Sequence, residues 1–149
     1  MRSSILLALA FVLLLTLPAI AAPEPPDIDS TPDRAVLVNI DEWSGTHLLQ
    51  PGQTQVIERL STSPRYAVSL RNSSGLNLAN HFHPHADEIL IVYKGSGELL
   101  VNGAWIRVKP GDVHVNPRGA IHATRCAPGE EMTVVSIFTP PRNESVTVE

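Results

Sequence analysis

The stretch "HFHPHADEILIVYKG", His81 to Gly95, sets histidines at positions 81, 83 and 85, an acid at Glu88, and then an apolar run into a glycine. The chain has 6 histidines, and half of them fall here, so they are not scattered for solubility. In an extended strand successive side chains point to opposite faces, and residues two apart on one face stand about 7 Å from each other. His81 and His83 therefore share a face, and His85 joins them only if Pro84 leaves the strand straight. Imidazoles at i and i+2 on the inward face of a strand can share one metal ion, whereas helices present such pairs at i and i+4. The run "EILIVY" (Glu88 to Tyr93) has the length and β-branched content of a buried strand, and "KGSG" ends it.

Working outward, helical periodicity is nearly absent from Ala35 onward. Short apolar alternation broken by turn residues every eight to twelve positions predicts an all-β fold, a sandwich or a barrel, in a single domain. "RYAVSL" (Arg65 to Leu70) reads as a strand ended by a turn in "RNSSG". "ELLV" and "AWIRV" flank Asn102-Gly103, a hairpin signal because both central positions of a type I′ turn take positive φ. "VHVN", "IHATR" and "MTVVSIF" follow, separated by "PRGA" and "APGEE". The tail "TPPRNESVTVE" opens on two prolines and is expected to be peripheral. The segment around Trp43, before Gly52, is expected to supply an edge strand or a dimer arm.

A second cluster, "GDVHVNPRGAIH", brings His122 just after a tight turn. Together the two clusters resemble the paired signatures of the cupin superfamily, G-x5-H-x-H-x3,4-E-x6-G and G-x5-P-x-G-x2-H-x3-N. The first is met by Gly75, His81, His83, Glu88 and Gly95. The second is met by Gly111, Pro117, Gly119 and His122, with Cys126 where the family often has Asn. The resemblance runs from about Tyr66 to Phe138. It implies a double-stranded β-helix (jelly-roll) barrel in which His81, His83, Glu88 and His122 converge on one divalent metal ion. Three neutral imidazoles and a carboxylate suit manganese, iron, nickel, copper or zinc, and the resemblance implies manganese first among them. Four protein ligands around an octahedral ion would leave two positions for water, substrate or dioxygen. The details "HFHPHADE" and "NPRGAIH" are most similar to the germin and oxalate decarboxylase branch, which implies small carboxylates as substrates.

The ends of the chain bound where the protein works. "MRSSILLALAFVLLLTLPAIAA" has one basic residue, an apolar core shorter than the ~20 residues that span a bilayer, and Ala19 and Ala21 at the positions a signal peptidase reads. Residues 1–21 are therefore expected to be a signal peptide, with the mature protein secreted or periplasmic and free of the membrane. Residues 22–34, rich in Pro and Asp, are expected to form a disordered leader, and 35–149 the domain. A formal net charge of −4 with no basic stripe argues against nucleic acid as a partner. The single cysteine, Cys126, excludes an internal disulfide and is expected to pack as a small buried hydrophobe. Stability must then come from packing, from a metal, or from a second subunit, and a homodimer through edge strands is one expectation.

Other polar residues divide between the site and the surface. His85 is expected at the rim. His114 and Arg118 are the candidate catalytic residues, the first as an acid/base group if it faces the cavity, the second as a bidentate holder of a carboxylate at the barrel mouth. His47 is expected at the surface, Phe82 between the sheets, and Trp105 in the core or an interface. HExxH, P-loop, G-x-S-x-G and paired CxxC motifs are absent. The expected function is a metal-dependent oxidoreductase of dioxygenase or oxalate-oxidase type acting on a small organic molecule. A non-catalytic module binding a metal, sugar or acid, and a metal-dependent isomerase or lyase, are the alternatives.

Overall fold

In a computed structural model of the chain, residues 35–141 and 144–148 are described. The expected signal peptide and leader lie outside the described residues. Among the described residues, ten strands follow one short helix. They are β1 (Gln55–Thr62), β2 (Ala67–Ser74), β3 (His81–Phe82), β4 (Asp87–Gly95) and β5 (Gly97–Val101), then β6 (Ala104–Val108), β7 (Val113–Asn116), β8 (Thr124–Arg125), β9 (Glu131–Thr139) and β10 (Val146–Thr147). A five-stranded sheet runs in the order β1-β2-β9-β4-β7, a three-stranded sheet in the order β6-β5-β8, and β10 pairs with β3. Every pairing is antiparallel. The fold is all-β, a double-stranded β-helix.

The alternation read from the sequence is what packs the interior. Leu90 and Val92 of β4, Met132 and Val134 of β9, Leu99 of β5 and Val108 of β6 form one buried cluster. Burying a side chain of this size stabilises the fold by roughly 1.5–3 kcal/mol, which is the force that fixes strand register. The β5–β6 hairpin turns at Asn102 and Gly103 with φ of 49° and 81°, as a type I′ turn requires. Gly95 ends β4 at φ +75°, and a Cβ there would run into the carbonyl of Glu131. Glycine is needed at that position both for its conformation and for its size.

Three local expectations are corrected. The segment before Gly52 is not a strand: Ile40–Thr46 is a helix, α1, whose N-cap Asn39 accepts hydrogen bonds from the backbone N–H of Asp41 and Glu42. Its Trp43 is buried, and the edge strand is β1, just after Gly52. "RNSSG" is not a turn up to Gly75, because β2 continues to Ser74. The Asn72 side-chain amide donates to the carbonyls of Ser44 and His47, and its oxygen accepts from Thr133, so a residue typical of turns is satisfied within a sheet. The tail is not peripheral either: Val146 and Thr147 pair with Phe82 and His81.

Candidate metal centre

The site begins with a backbone pairing. His81 and His122 lie opposite each other in an antiparallel bridge and exchange both hydrogen bonds, at 3.0 and 2.9 Å. Residues so paired direct their side chains to the same face, and the two imidazole centroids stand 4.4 Å apart. His83, two residues along, brings its ring within 5.2 Å of His81 and 5.0 Å of His122. Its carbonyl accepts from the N–H of Gly119 at 2.9 Å, so the turn that delivers His122 is tied to the first cluster through main chain alone.

Each ring is oriented through Nδ1. The acceptors are the carbonyls of Ala79 for His81 (2.8 Å), Ala120 for His122 (2.8 Å) and Glu144 for His83 (3.2 Å). A carbonyl can only accept, so Nδ1 carries the proton in all three rings and Nε2 carries the lone pair. The ligand nitrogens of the three histidines lie within 4.8 Å of one another. Metal-bound histidines in general have this outer hydrogen bond, which fixes tautomer and direction.

Glu88 completes the cluster. Its Oε2 lies 3.0 Å from His122 Nε2 and 3.9 Å from His83 Nε2, and it accepts from Asn116 Nδ2 at 3.1 Å. Asn116 is the residue opposite Glu88 in the β4–β7 pairing. His122 Nε2 is buried and makes no aligned hydrogen bond despite its nearness to Glu88. With the proton on Nδ1, imidazole and carboxylate both present lone pairs, an arrangement that a cation between them would satisfy. Burial by itself would raise the Glu88 carboxyl, but the contact with His122 and the charge of Arg71 hold it below its ordinary range. The three histidines are thus placed to bind a metal ion, and the residues around them fit one.

A cavity of about 70 Å³ opens beside the cluster, walled by Ser69, Arg71, Thr124, Ser136 and Phe138 along with His81, Glu88 and His122. Arg71 and Asn116 escaped the sequence reading. The signal for Arg71 was the inward alternation Ser69-Arg71-Ser73, which the turn reading of "RNSSG" concealed. For Asn116 only the register against Glu88 reveals its part.

The other candidates fall elsewhere. His114 shares the inward face of β7 with Asn116 and sits opposite Leu90, but it is not among the residues lining the cavity. It is half-buried, and burial lowers its pKa below the usual histidine value. Arg118 is not brought to the centre. Its side chain is exposed with Nε 3.7 Å from Asp87, whose carboxylate also accepts from the Arg118 backbone N–H. His85 is exposed, 3.1 Å from the Glu144 carboxylate. His47 stacks on Trp43 and lies 3.1 Å from Glu58. Phe82 is half-buried beside β10, the guanidinium of Arg125 lies over Trp105, and Cys126 is a buried free thiol. A larger cleft of about 450 Å³ lies between α1 and the ends of β2, β4 and β9. Among the described residues no imidazole or thiol lines it, whereas the smaller cavity adjoins the histidine cluster.

Fold and site together define a small antiparallel β-barrel with an inward cluster of imidazoles. Residues 73–138 match the family model of the cupin domain. An uncharacterised protein of Aquifex aeolicus (strain VF5) is 37% identical over 71 residues, a match spanning 46% of this chain and 58% of that relative's length. Among solved structures, a conserved protein with a double-stranded β-helix domain from Klebsiella pneumoniae aligns at a TM-score of 0.64 with 20% identity, covering 78% of this chain and 99% of the other. The polyketide cyclase RemF from Streptomyces resistomycificus aligns at 0.59 with 22% identity, covering 68% and 77%. Residues 73–138 thus match a cupin domain, set in a double-stranded β-helix.

Proposed function

We propose that the chain is an exported, mononuclear metal-dependent oxidoreductase acting on a small organic substrate. His81, His83, His122 and Glu88 hold one divalent ion, with manganese or iron as the working metal. The observation that carries this reading is the set of three imidazoles whose Nδ1 atoms are engaged by main-chain carbonyls while their ligand nitrogens meet beside a buried carboxylate. When bound, such an ion supplies Lewis acidity and, for manganese or iron, a change of oxidation state. The chain's own residues do the rest. Asn116 orients Glu88, and Ser69, Thr124 and Ser136 offer hydroxyls to a substrate in the cavity. Phe138, edge-on to His83 at 5.2 Å, keeps water from one side of the cluster. Export is supported by the charge, apolar length and small residues of the N-terminal segment.

The test is elemental mass spectrometry on the mature protein, Ala22 to Glu149, followed by oxygen uptake with a panel of small carboxylates, enolates and diols. About one manganese or iron per chain and oxygen uptake that His83→Ala abolishes are expected. A protein that takes up no metal would refute the site. A loaded protein inert across the panel would leave a binding module in place of the enzyme.

A further inference from the structure

The two outer faces of the barrel differ in kind. On the three-stranded sheet, Glu98 stands between Arg107 and Arg125 and pairs with Arg125 at 2.7 Å, as suits a face turned to water. On the five-stranded sheet the outward positions form two aliphatic rows across four strands. One row is Val68, Ile137, Ile89 and Val115, and the other is Leu70, Val135, Ile91 and Val113. Glu88, Leu90 and Val134, which alternate with them along the strands, are buried in the interior. Leu70 is buried too, on the side where α1 bonds Glu58 and Asn72. The rest of both rows is open or half-open, and Val113 and Val115 are 60% and 56% exposed.

An antiparallel sheet with one face in water carries polar residues on that face, and these rows carry none. With strands about 4.8 Å apart and rows about 7 Å apart, they make a plate of roughly 300 Å² of apolar surface. The residues just outside it, Asp87, Tyr93, Thr133 and Thr139, bring the footprint to roughly 600 Å², the lower end of what holds two proteins together. Charges at this rim are engaged within the chain: Asp87 lies against Arg118, and Asp41 accepts from Tyr93. The plate therefore selects a surface as apolar and as neutral as itself. The sequence just ahead of Ala35, "APEPPDIDSTPDR", has one large aliphatic residue, Ile28, and is no match for it. A second copy brings an equal plate with no like charges opposed. The chain enters α1 at the Tyr93 corner with Val36 and Leu37 52% and 99% exposed, which is apolar surface for the same contact to cover. The strand edges are poorer meeting places. β7 has four residues, and β1 carries Glu58 and Arg59 and is broken by a bulge between Arg59 and Ser61.

We propose that the chain pairs with a second copy through the outer face of its five-stranded sheet, the plates of Ile89, Ile91, Val113 and Val115 meeting about a two-fold axis. The contact is face to face, in place of the edge-strand pairing that the sequence suggested, and it is independent of any metal. Its small footprint sets a dissociation constant on the order of micromolar.

The test is sedimentation velocity of the mature protein, Ala22 to Glu149, over a concentration series from about 1 µM to 1 mM, which brackets such a constant. A rise from the mass of one chain to that of two is expected across the series. Val113→Lys and Val115→Lys each put a charge into the plate and should weaken the dimer by about 10-fold or more, with circular dichroism unchanged from the parent. Ile106→Lys, at a position 48% exposed on the other sheet, should dimerise like the parent. If neither valine variant folds, the parent decides alone: backbone hydrogen exchange across 113–116 should slow as protein concentration rises, and that across 104–108 should not. A protein monomeric throughout the series would overturn the inference and leave the face to a partner of another kind. So would a dimer that both valine variants leave intact, a dimer that Ile106→Lys weakens as much, or exchange that slows only across 104–108.

Discussion

Ending the chain at Pro141 should weaken metal binding far more than it weakens folding. The cut removes β10, the hydrogen bond from Val148 N–H to the Asn80 carbonyl, and the Glu144 carbonyl that accepts from His83 Nδ1 at 3.2 Å. The residues of β10 are exposed, so each lost backbone bond is replaced by water and costs near the low end of the ~0.5–1.5 kcal/mol range. The folding loss should total about 1–2 kcal/mol, readable as a small shift in a urea midpoint. His83 loses more, because its ring keeps its backbone position but no longer has its tautomer and direction set. Removing such an outer partner typically costs about 10- to 100-fold in metal affinity. The assay is competition against a chromophoric chelator at fixed pH, with the full mature chain alongside. Glu144→Ala is the discriminating control, since it deletes the exposed carboxylate facing His85 but keeps the carbonyl, and it should bind within about twofold of the parent. Truncated protein that binds as tightly as the parent, or Glu144→Ala that loses as much as the truncation, would refute the reasoning.

Asn116→Leu should cost about 1–3 kcal/mol in urea unfolding, because it leaves the buried Glu88 carboxylate short of a donor that sits 3.1 Å away. Gly95→Ala should cost more than about 2 kcal/mol, combining positive φ with a collision against the Glu131 carbonyl, whereas Gly103→Ala, where a Cβ meets open space, should cost about 1 kcal/mol. For pH, Glu130 is held below its ordinary 4.5 first by its hydrogen bond from Arg107 and then by the Ala127 N–H. A carboxyl lowered by folding binds fewer protons in the native state, so its contribution is present above 4.5 and lost as pH falls through the lowered value. Glu130→Gln should accordingly flatten the acid limb of the stability curve, measured by urea midpoints from pH 5 downward, and leave the neutral region little changed.

The four clustered residues were legible in the sequence because their spacing is local. His81 and His83 share a strand face by period alone, and Gly119 and Pro117 announce the turn that carries His122. The strands of the core were legible for a related reason, since Leu90 and Val92 fall in one short apolar run and Met132 and Val134 in another, each bounded by turn residues. What stayed hidden depends on contacts between distant segments. A helix of seven residues is too short for periodicity to declare, and α1 exists because Asn39 caps it and Trp43 finds a buried place. "RNSSG" carries turn residues, yet Asn72 spends its amide on the carbonyls of Ser44 and His47 and its oxygen on Thr133, which allows the strand to continue. The prolines at 140 and 141 made the tail look peripheral, and only the pairing of β10 with β3 returns it to the site. Arg71 and Asn116 are invisible without register, because their meaning lies in what stands across from them.

The two halves of the centre are held by different kinds of support, and this bears on how such a site can change. The imidazoles are oriented by carbonyls of Ala79, Ala120 and Glu144, groups present whatever the side chain at those positions. The bridge between His81 and His122 and the bond from Gly119 to His83 are also main-chain contacts. Side-chain substitutions in these segments leave the histidine geometry standing so long as the backbone keeps its path. The carboxylate depends instead on side chains: Asn116 positions Glu88, and the charge of Arg71 reaches it across the cavity. The geometry of the three imidazoles is therefore set by the fold, whereas the charge, size and polarity of the cavity beside them are set by a few replaceable residues, Arg59 on β1 and Arg71 on β2 among them. A change in what this cavity accepts therefore calls for new side chains at positions such as 59 and 71, with the histidines left as they are.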